Sequence, residues 1–213
     1  MLLNEVDLLI PSNFEKKTDR LIIRFYNEDD FELWKKTHKQ LPKARNKWDV
    51  KPDPNFKGTR QAFKKMLQQE QRNRDAERYY FIALDRTSGQ PIGHAVLFDI
   101  RRKIFQSGGL GYGIYNHSWG QGYGRELVEA MLEVAFKTLK LHRIEAAIEG
   151  KNRRSINLAK SVGMTREGIR RGFVYMNGEW KSLTIFSLLA EDFNVSFKFP
   201  PKAPEPAGKS GKR

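Results

Sequence analysis

The stretch "YNHSWGQGYGRELVEAML", residues 115–132, decides how this chain is read. It places glycines at alternate positions, Gly120, Gly122 and Gly124, ahead of a run in which Leu127, Val128, Met131, Leu132, Ala135 and Leu139 recur at helical spacing. The first backbone N–H groups of a helix have no partner inside it and carry its positive dipole end, so a turn leading into a helix is a natural anion cradle. Lacking Cβ, the glycines let the backbone curl with its amides inward, where a phosphate would accept charge-assisted hydrogen bonds worth about 1.5–3 kcal/mol each. The alternative is a plain glycine-rich turn. Two commoner phosphate loops are excluded: no Gly-Lys-Ser/Thr follows, as a Walker loop requires, and the dinucleotide fingerprint lacks its third glycine.

What surrounds the stretch limits what it belongs to. A chain of 213 residues, 39% hydrophobic and 30% charged, is long enough to bury a real core as one domain with appendages. With no cysteine there is no disulfide, zinc-thiolate site or thiol nucleophile, and nothing calls for a metal or an oxidising compartment. A cytoplasmic location fits best. The opening "MLLNEVDLLIPSNF" has no basic segment before its apolar run, and Asn4, Glu5 and Asp7 interrupt that run, so residues 1–17 read as a packed N-terminal arm and not as a signal peptide. No window approaches the roughly 18 consecutive apolar residues of a membrane span. The net charge of +14 points to an anionic partner. Residues 194–213, with five Lys or Arg against Glu205 and four prolines, read as a basic, poorly ordered tail. Lys151 to Gly172 carries seven basic residues against Glu167 alone, which is either a local anion site or a solvated face.

Periodicity predicts mixed α and β elements. Arg20 to Tyr26 reads as a strand, and Asn27 with Asp30 caps a helix carrying Phe31, Trp34 and His38. Thr59 opens a second helix. "YYFIALD", "PIGHAVLFDI" and "GGLGYGIY" read as three strands, followed by the helix after the glycines, the strand "RIEAAI" and the short helix "RSINLAKSV". The hairpin "GFVYMNGEWKSLTIFSLL" closes the order, its Asn177-Gly178 pair fitting a type I′ turn.

Trp119-Gly-Gln-Gly-Tyr-Gly124, followed by Arg125 and Glu126, resembles the pyrophosphate motif of the GNAT acetyltransferase superfamily, Gln/Arg-x-x-Gly-x-Gly/Ala. Trp119 departs from the usual Gln or Arg, but a Trp-Gly pair is frequent there in the Rim-type branch that acetylates ribosomal-protein N-termini. "EGKNRRSINLAKSVGMTREGIRRG" is similar to the same branch at Asn152, Ser155, Gly163, Met164, Arg166, Glu167 and Gly168, and the resemblance covers residues 18–193. It implies an α/β fold of three layers: a twisted mixed sheet, flanked by helices, whose middle strands splay apart around acetyl-CoA. It further implies that backbone groups of Tyr112 to Ile114 meet the pantetheine arm and thioester. Gln121, Gly122, Tyr123, Gly124 and Arg125 would hold the pyrophosphate, with Asn152 and Ser155 beside the pantetheine and sulfur and Arg153, Arg154 and Lys160 near the phosphates.

Without cysteine, the resemblance implies direct attack of an amine on the thioester, with an oxyanion held by a backbone N–H near Ile114. Ser155 occupies the family position that protonates the leaving thiolate; alternatively it only caps its helix. The tyrosine that serves as acid in many relatives would fall at Ala159. A glutamate common in relatives would fall at Gly109, leaving Glu145 and Glu149 as substitute bases, either of which is otherwise an ordinary strand carboxylate. A site without a strong base suits an α-amine, of pKa near 8, better than a lysine amine near 10.4, the difference costing roughly 3.5 kcal/mol. The expected acceptor is a protein N-terminus, with the ribosome as a partner, and Leu41 to Thr59 forms the acceptor region. The alternatives are a small amine such as an amino acid, polyamine or antibiotic, or a non-catalytic module that binds CoA or protein.

Overall fold

Alternation along the strands sorts side chains to two faces, because residues i and i+2 of an extended chain point the same way. Leu21 and Ile23 of β2 (Leu21–Arg24), Tyr79, Phe81 and Ala83 of β3 (Tyr79–Asp85), and Ala95 and Leu97 of β4 (Pro91–Arg101) share one buried cluster. Leu110 of β5 (Ser107–Ile114) joins it, and α3 (Tyr123–Glu133) closes it with Leu127, Val128, Met131 and Leu132. Each Leu, Ile, Val, Phe or Met among them contributes about 1.5–3 kcal/mol on full burial. α3 runs on into a π-helical turn, Val134–Thr138, that keeps Val134, Ala135 and Phe136 in the core.

A second cluster of Phe31, Trp34 and Phe63 joins α1 (Phe31–Lys39) to α2 (Arg60–Asp75). A 3-10 turn, Glu28–Asp30, leads into α1, and its start is capped by the residues the sequence offers. Asn27 accepts from Asp29 N at 2.9 Å, and the Asp30 carboxylate accepts from Asn27 N at 2.8 Å while Arg24 grips it through both guanidinium nitrogens.

The computed structural model describes residues 10–198 apart from residue 177. Within them eight strands form one sheet in the order β1-β2-β3-β4-β5-β6-β8-β7. The remaining elements are β1 (Glu15–Lys17), β6 (Arg143–Glu149), α4 (Arg153–Ser161), β7 (Thr165–Met176) and β8 (Glu179–Leu189). The expected order of elements holds, with β1 as an addition: three polar residues show no period, yet Lys16 pairs with Ile23. Ile10 and Phe14 of the expected arm pack on the core, Phe14 edge-on to Phe81 at 5.8 Å. β7 begins at Thr165, seven residues before the hairpin placed at Gly172, because its mostly exposed side chains hide the alternation. Gly178 has the expected left-handed φ of 82°, but Asn177, the other half of the type I′ turn, lies outside the described residues, as does the tail from residue 199.

The step that positions the site lies between β5 and β6. This parallel pair joins only over Ser107–Gly109 and Arg143–Glu145, after which β5 continues to Ile114 and β6 to Glu149 without pairing to each other. β6 is held on its far side by β8 over its whole length, so the two middle strands part.

Candidate active site

A cavity of about 610 Å³ opens where β5 and β6 separate. Tyr112 and Ile114 of β5, Gly122, Tyr123 and Gly124 before and in α3, and Asn152 and Ser155 at the head of α4 all line it. The glycine stretch behaves as its sequence requires. Gly120 and Gly122 have φ of 77° and 83°, and Gly122 is the N-cap of α3 in the left-handed conformation that a side chain rarely adopts. The first amides to find an acceptor here are those of Arg125 and Glu126, both on Gly122 O, so the N–H groups of Tyr123 and Gly124 have no carbonyl partner among the described residues.

Gln121 and Arg125 belong to the loop but do not line the cavity. Gln121 Nε2 donates to His117 O at 3.2 Å, and Arg125 pairs with Glu129 one turn on at 2.8 Å. Arg20, which the sequence reading passed over as the start of a strand, braces the loop from outside. Its Nη1 donates to Gln121 O at 2.8 Å, its Nε donates to Glu126 at 2.8 Å, and its guanidinium lies 4.5 Å from the Tyr123 ring centre. Burial alone would raise the Glu126 carboxyl, but hydrogen bonds from Thr18 and Arg20 hold it below its ordinary value.

The head of α4 shows what the Ser155 side chain touches. Capping falls to Asn152, whose side-chain oxygen accepts from Ser155 N at 3.3 Å. The Ser155 hydroxyl instead lies 2.9 Å from the Tyr112 hydroxyl, which crosses from β5. Burial pushes the Tyr112 phenol upward despite that bond, so it stays protonated through neutral pH. No local pattern joins residues 43 positions apart, and sequence reading gave Tyr112 only backbone contacts.

The carboxylates fare differently. Gly109 faces Glu145 across the parallel pair, and a Cβ there would stand 2.8 Å from the Phe98 ring, which fills the place of a side chain at 109. Glu145 does not line the cavity: Arg143 and Arg170 hold it at 2.9 and 3.0 Å. Arg143 also grips Glu167, which with Ser187 pulls that carboxyl down to about 2 and gives the Arg-Glu-Gly motif a role in holding β7 to the sheet. Glu149 pairs with Lys47 at 2.6 Å, and that contact lowers its pKa and with it its basicity. The expectation of a free base at either position is therefore not met by the geometry. Among the described residues no three His, Asp or Glu side chains cluster as metal ligands would.

The segment between α1 and α2 forms the opposite wall, contributing Arg45, Asn46, Trp48 and Val50. Asp49 pins it in place, accepting from Arg45 N at 2.9 Å and from the buried Asn116 Nδ2 at 2.7 Å. Arg154, of the basic run, lines the cavity, whereas Arg153 and Lys160 do not.

These features agree with what is known of similar proteins. Residues 20–165 match the model of the acetyltransferase (GNAT) domain. The protein named probable N-acetyltransferase YjcK of Bacillus subtilis is 32% identical over 129 residues, which span 61% of this chain and 71% of that one. The [ribosomal protein uS5]-alanine N-acetyltransferase of Escherichia coli is 28% identical over 54% of this chain, the match spanning 59% of its own length. In fold, the ribosomal-protein-S5-alanine acetyltransferase of Vibrio fischeri superposes with a TM-score of 0.67 at 24% identity, over 87% of this chain and all of that one. No helix among the described residues is long and apolar enough to cross a membrane. The chain belongs to the GNAT acetyltransferase family and is an N-acetyltransferase, a class of enzyme that draws its acetyl group from acetyl-CoA.

Proposed function

We propose that this enzyme acetylates the α-amine of a protein N-terminus, that of a ribosomal protein, in the cytoplasm. The observation that carries the reading is that no carboxylate of the described residues lines the cavity: the place of a side chain at 109 is filled by Phe98, and Glu145 and Glu149 are held by cations. Such a site favours an amine already partly neutral near pH 7, as α-amines are and lysine amines are not. Arg45 and Arg154 on the cavity wall, with Lys47 beside it, disfavour polyamines. The name of the Escherichia coli relative supports a ribosomal acceptor, and the net charge of +14 would draw the enzyme to an RNA-rich particle in a salt-dependent way. Incubation with acetyl-CoA and either ribosomal proteins or a panel of small amines, followed by peptide mass spectrometry, is expected to place the acetyl group on an N-terminal residue. Turnover of polyamines or amino acids with every protein left unmodified would move the enzyme to the small-amine class.

In this reading the amine nitrogen bonds to the thioester carbonyl carbon, the C–S bond breaks, the nitrogen loses a proton and the departing sulfur gains one. Backbone groups of Tyr112 to Ile114 and the free amides of Tyr123 and Gly124 would hold the co-substrate, with Gln121 and Arg125 contributing through the backbone of the loop. Asn152 would meet the pantetheine through its unengaged Nδ2, and an N–H near Ile114 would face the oxyanion. Ser155 would donate to the sulfur, with the Tyr112 phenol behind it able to resupply the proton through their 2.9 Å contact. Because either hydroxyl, or water, partly substitutes for the other, Ser155→Ala and Tyr112→Phe are each expected to lower kcat about tenfold with little change in the affinity for CoA. An undiminished kcat in both variants would remove the pair from the mechanism.

A further inference from the structure

Trp119 stands where the family motif carries Gln or Arg, and two cations lie against it. The Arg154 guanidinium is 4.0 Å from the indole centre and that of Arg45 is 5.9 Å away. The ring is fixed by its own Nε1–H, which donates to Ile114 O at 2.8 Å. Neither guanidinium has a carboxylate partner among the described residues, in contrast to Arg20, Arg24 and Arg143. All three side chains line the cavity beside Gly120, Gly122 and Gly124, and among the described residues the lining includes no Asp or Glu. Two like charges held on one ring, next to amides without acceptors among the described residues, repel each other, a cost that an anion bound beside both would offset.

Arg45 comes from the α1–α2 segment, far from the motif in sequence. It reaches Trp119 because Asp49 ties that segment to Asn116, three residues before the indole, and Asn116 Nδ2 also donates to Lys43 O at 2.9 Å. We infer that Arg45 is a phosphate-binding residue: across the face of Trp119 it supplies, with Arg154, the positive charge that an Arg at position 119 would give the motif, and it grips a phosphate of coenzyme A. The inference rests on the reading of this cavity as the coenzyme site. Its consequence is that one segment serves both substrates, walling the acceptor side with Trp48 and Val50 while closing on the coenzyme with Arg45.

Calorimetric titration of coenzyme A and of dephospho-coenzyme A into the native protein, Arg45→Gln and Arg45→Lys tests this. The Gln variant is expected to bind coenzyme A about tenfold more weakly, the size of one lost charge-assisted contact, and Lys to restore much of the loss. The unfolding temperature should not move, since the Arg45 backbone N–H that holds Asp49 is kept. If dephospho-coenzyme A is weakened by the Gln change as strongly, the gripped group is the diphosphate; if it binds both proteins alike, the group is the 3′-phosphate. Equal affinity of the native and Gln proteins for coenzyme A overturns the inference, as does an equal loss in Gln and Lys accompanied by a lowered unfolding temperature. A native protein that does not bind coenzyme A overturns the reading beneath it as well.

Discussion

Coenzyme A titrated into the Gly122→Val variant is expected to release no measurable heat, where the native protein gives a saturable isotherm. Gly122 sits at φ 83°, a conformation that costs an L-residue about 1–2 kcal/mol and a β-branched one more. A Cβ there would also stand 3.3 Å from Arg20 Nη2, which pairs with Glu126 on the guanidinium that braces the loop. The loop relaxes by rotating its peptides, and the amides of Tyr123 and Gly124 turn away from the cavity. Losing two contacts of about 1.5–3 kcal/mol each weakens binding by more than about a hundredfold. Gly120→Ala is the control: its φ is 77°, but nothing lies within 4 Å of the added carbon, so only the strain is felt and the loss is smaller. Native-like affinity in Gly122→Val would mean that the phosphates do not lie on this loop.

The second large effect concerns stability below neutral pH. His94 stacks on Tyr80 with ring centres 5.3 Å apart, leans over Gly113, and has no partner for its buried Nδ1, so burial pushes its pKa down from 6.5 to about 4. Above pH 6.5 the ring is neutral in both folded and unfolded chains and contributes no slope. As the pH falls from 6.5 towards 4, the unfolded chain takes up a proton that the folded protein refuses, and stability declines by about 2–3 kcal/mol across that window. The paired carboxylates of Glu149 and Glu167, both held below their ordinary values, add further loss only below about pH 4.5. Urea unfolding at pH 7 and pH 4.5 is expected to show a drop of about 2 kcal/mol in the native protein and a much smaller one in His94→Gln. Equal drops in the two proteins would show that His94 is protonated without penalty.

What the sequence made legible was local. The left-handed glycines, the cap at Asn27 and the helix after Gly124 depend on neighbours within a turn, and each lies where the pattern of residues puts it. Gly122, Asn152 and Ser155 were legible as cavity residues because the family motifs carry them, and Tyr112 because it stands on the strand that the resemblance implies. What was not legible depends on strands meeting. The pairing of Ser155 with Tyr112 needs α4 laid against β5, and the ion pairs that occupy Glu145 and Glu149 need Arg170 from β7 and Lys47 from the α1–α2 segment. The glycine at 109 was visible as a missing carboxylate. Its reason, a phenylalanine from β4 leaning across β5, exists only once the two strands are in register.

The parting of β5 from β6 has a thermodynamic side. Beyond Gly109 the edge of β5 that faces β6 carries main-chain donors and acceptors with no neighbouring strand, in the middle of a sheet that is otherwise continuous. If the coenzyme's amide arm lies in that gap, as the proposed site implies, it would act as an added, removable strand. Its binding free energy is then also folding free energy, growing as RT ln(1 + [L]/Kd) with the free concentration of the ligand. The protein's resistance to unfolding would thus rise and fall with the supply of coenzyme, making the enzyme most durable when its acetyl donor is plentiful.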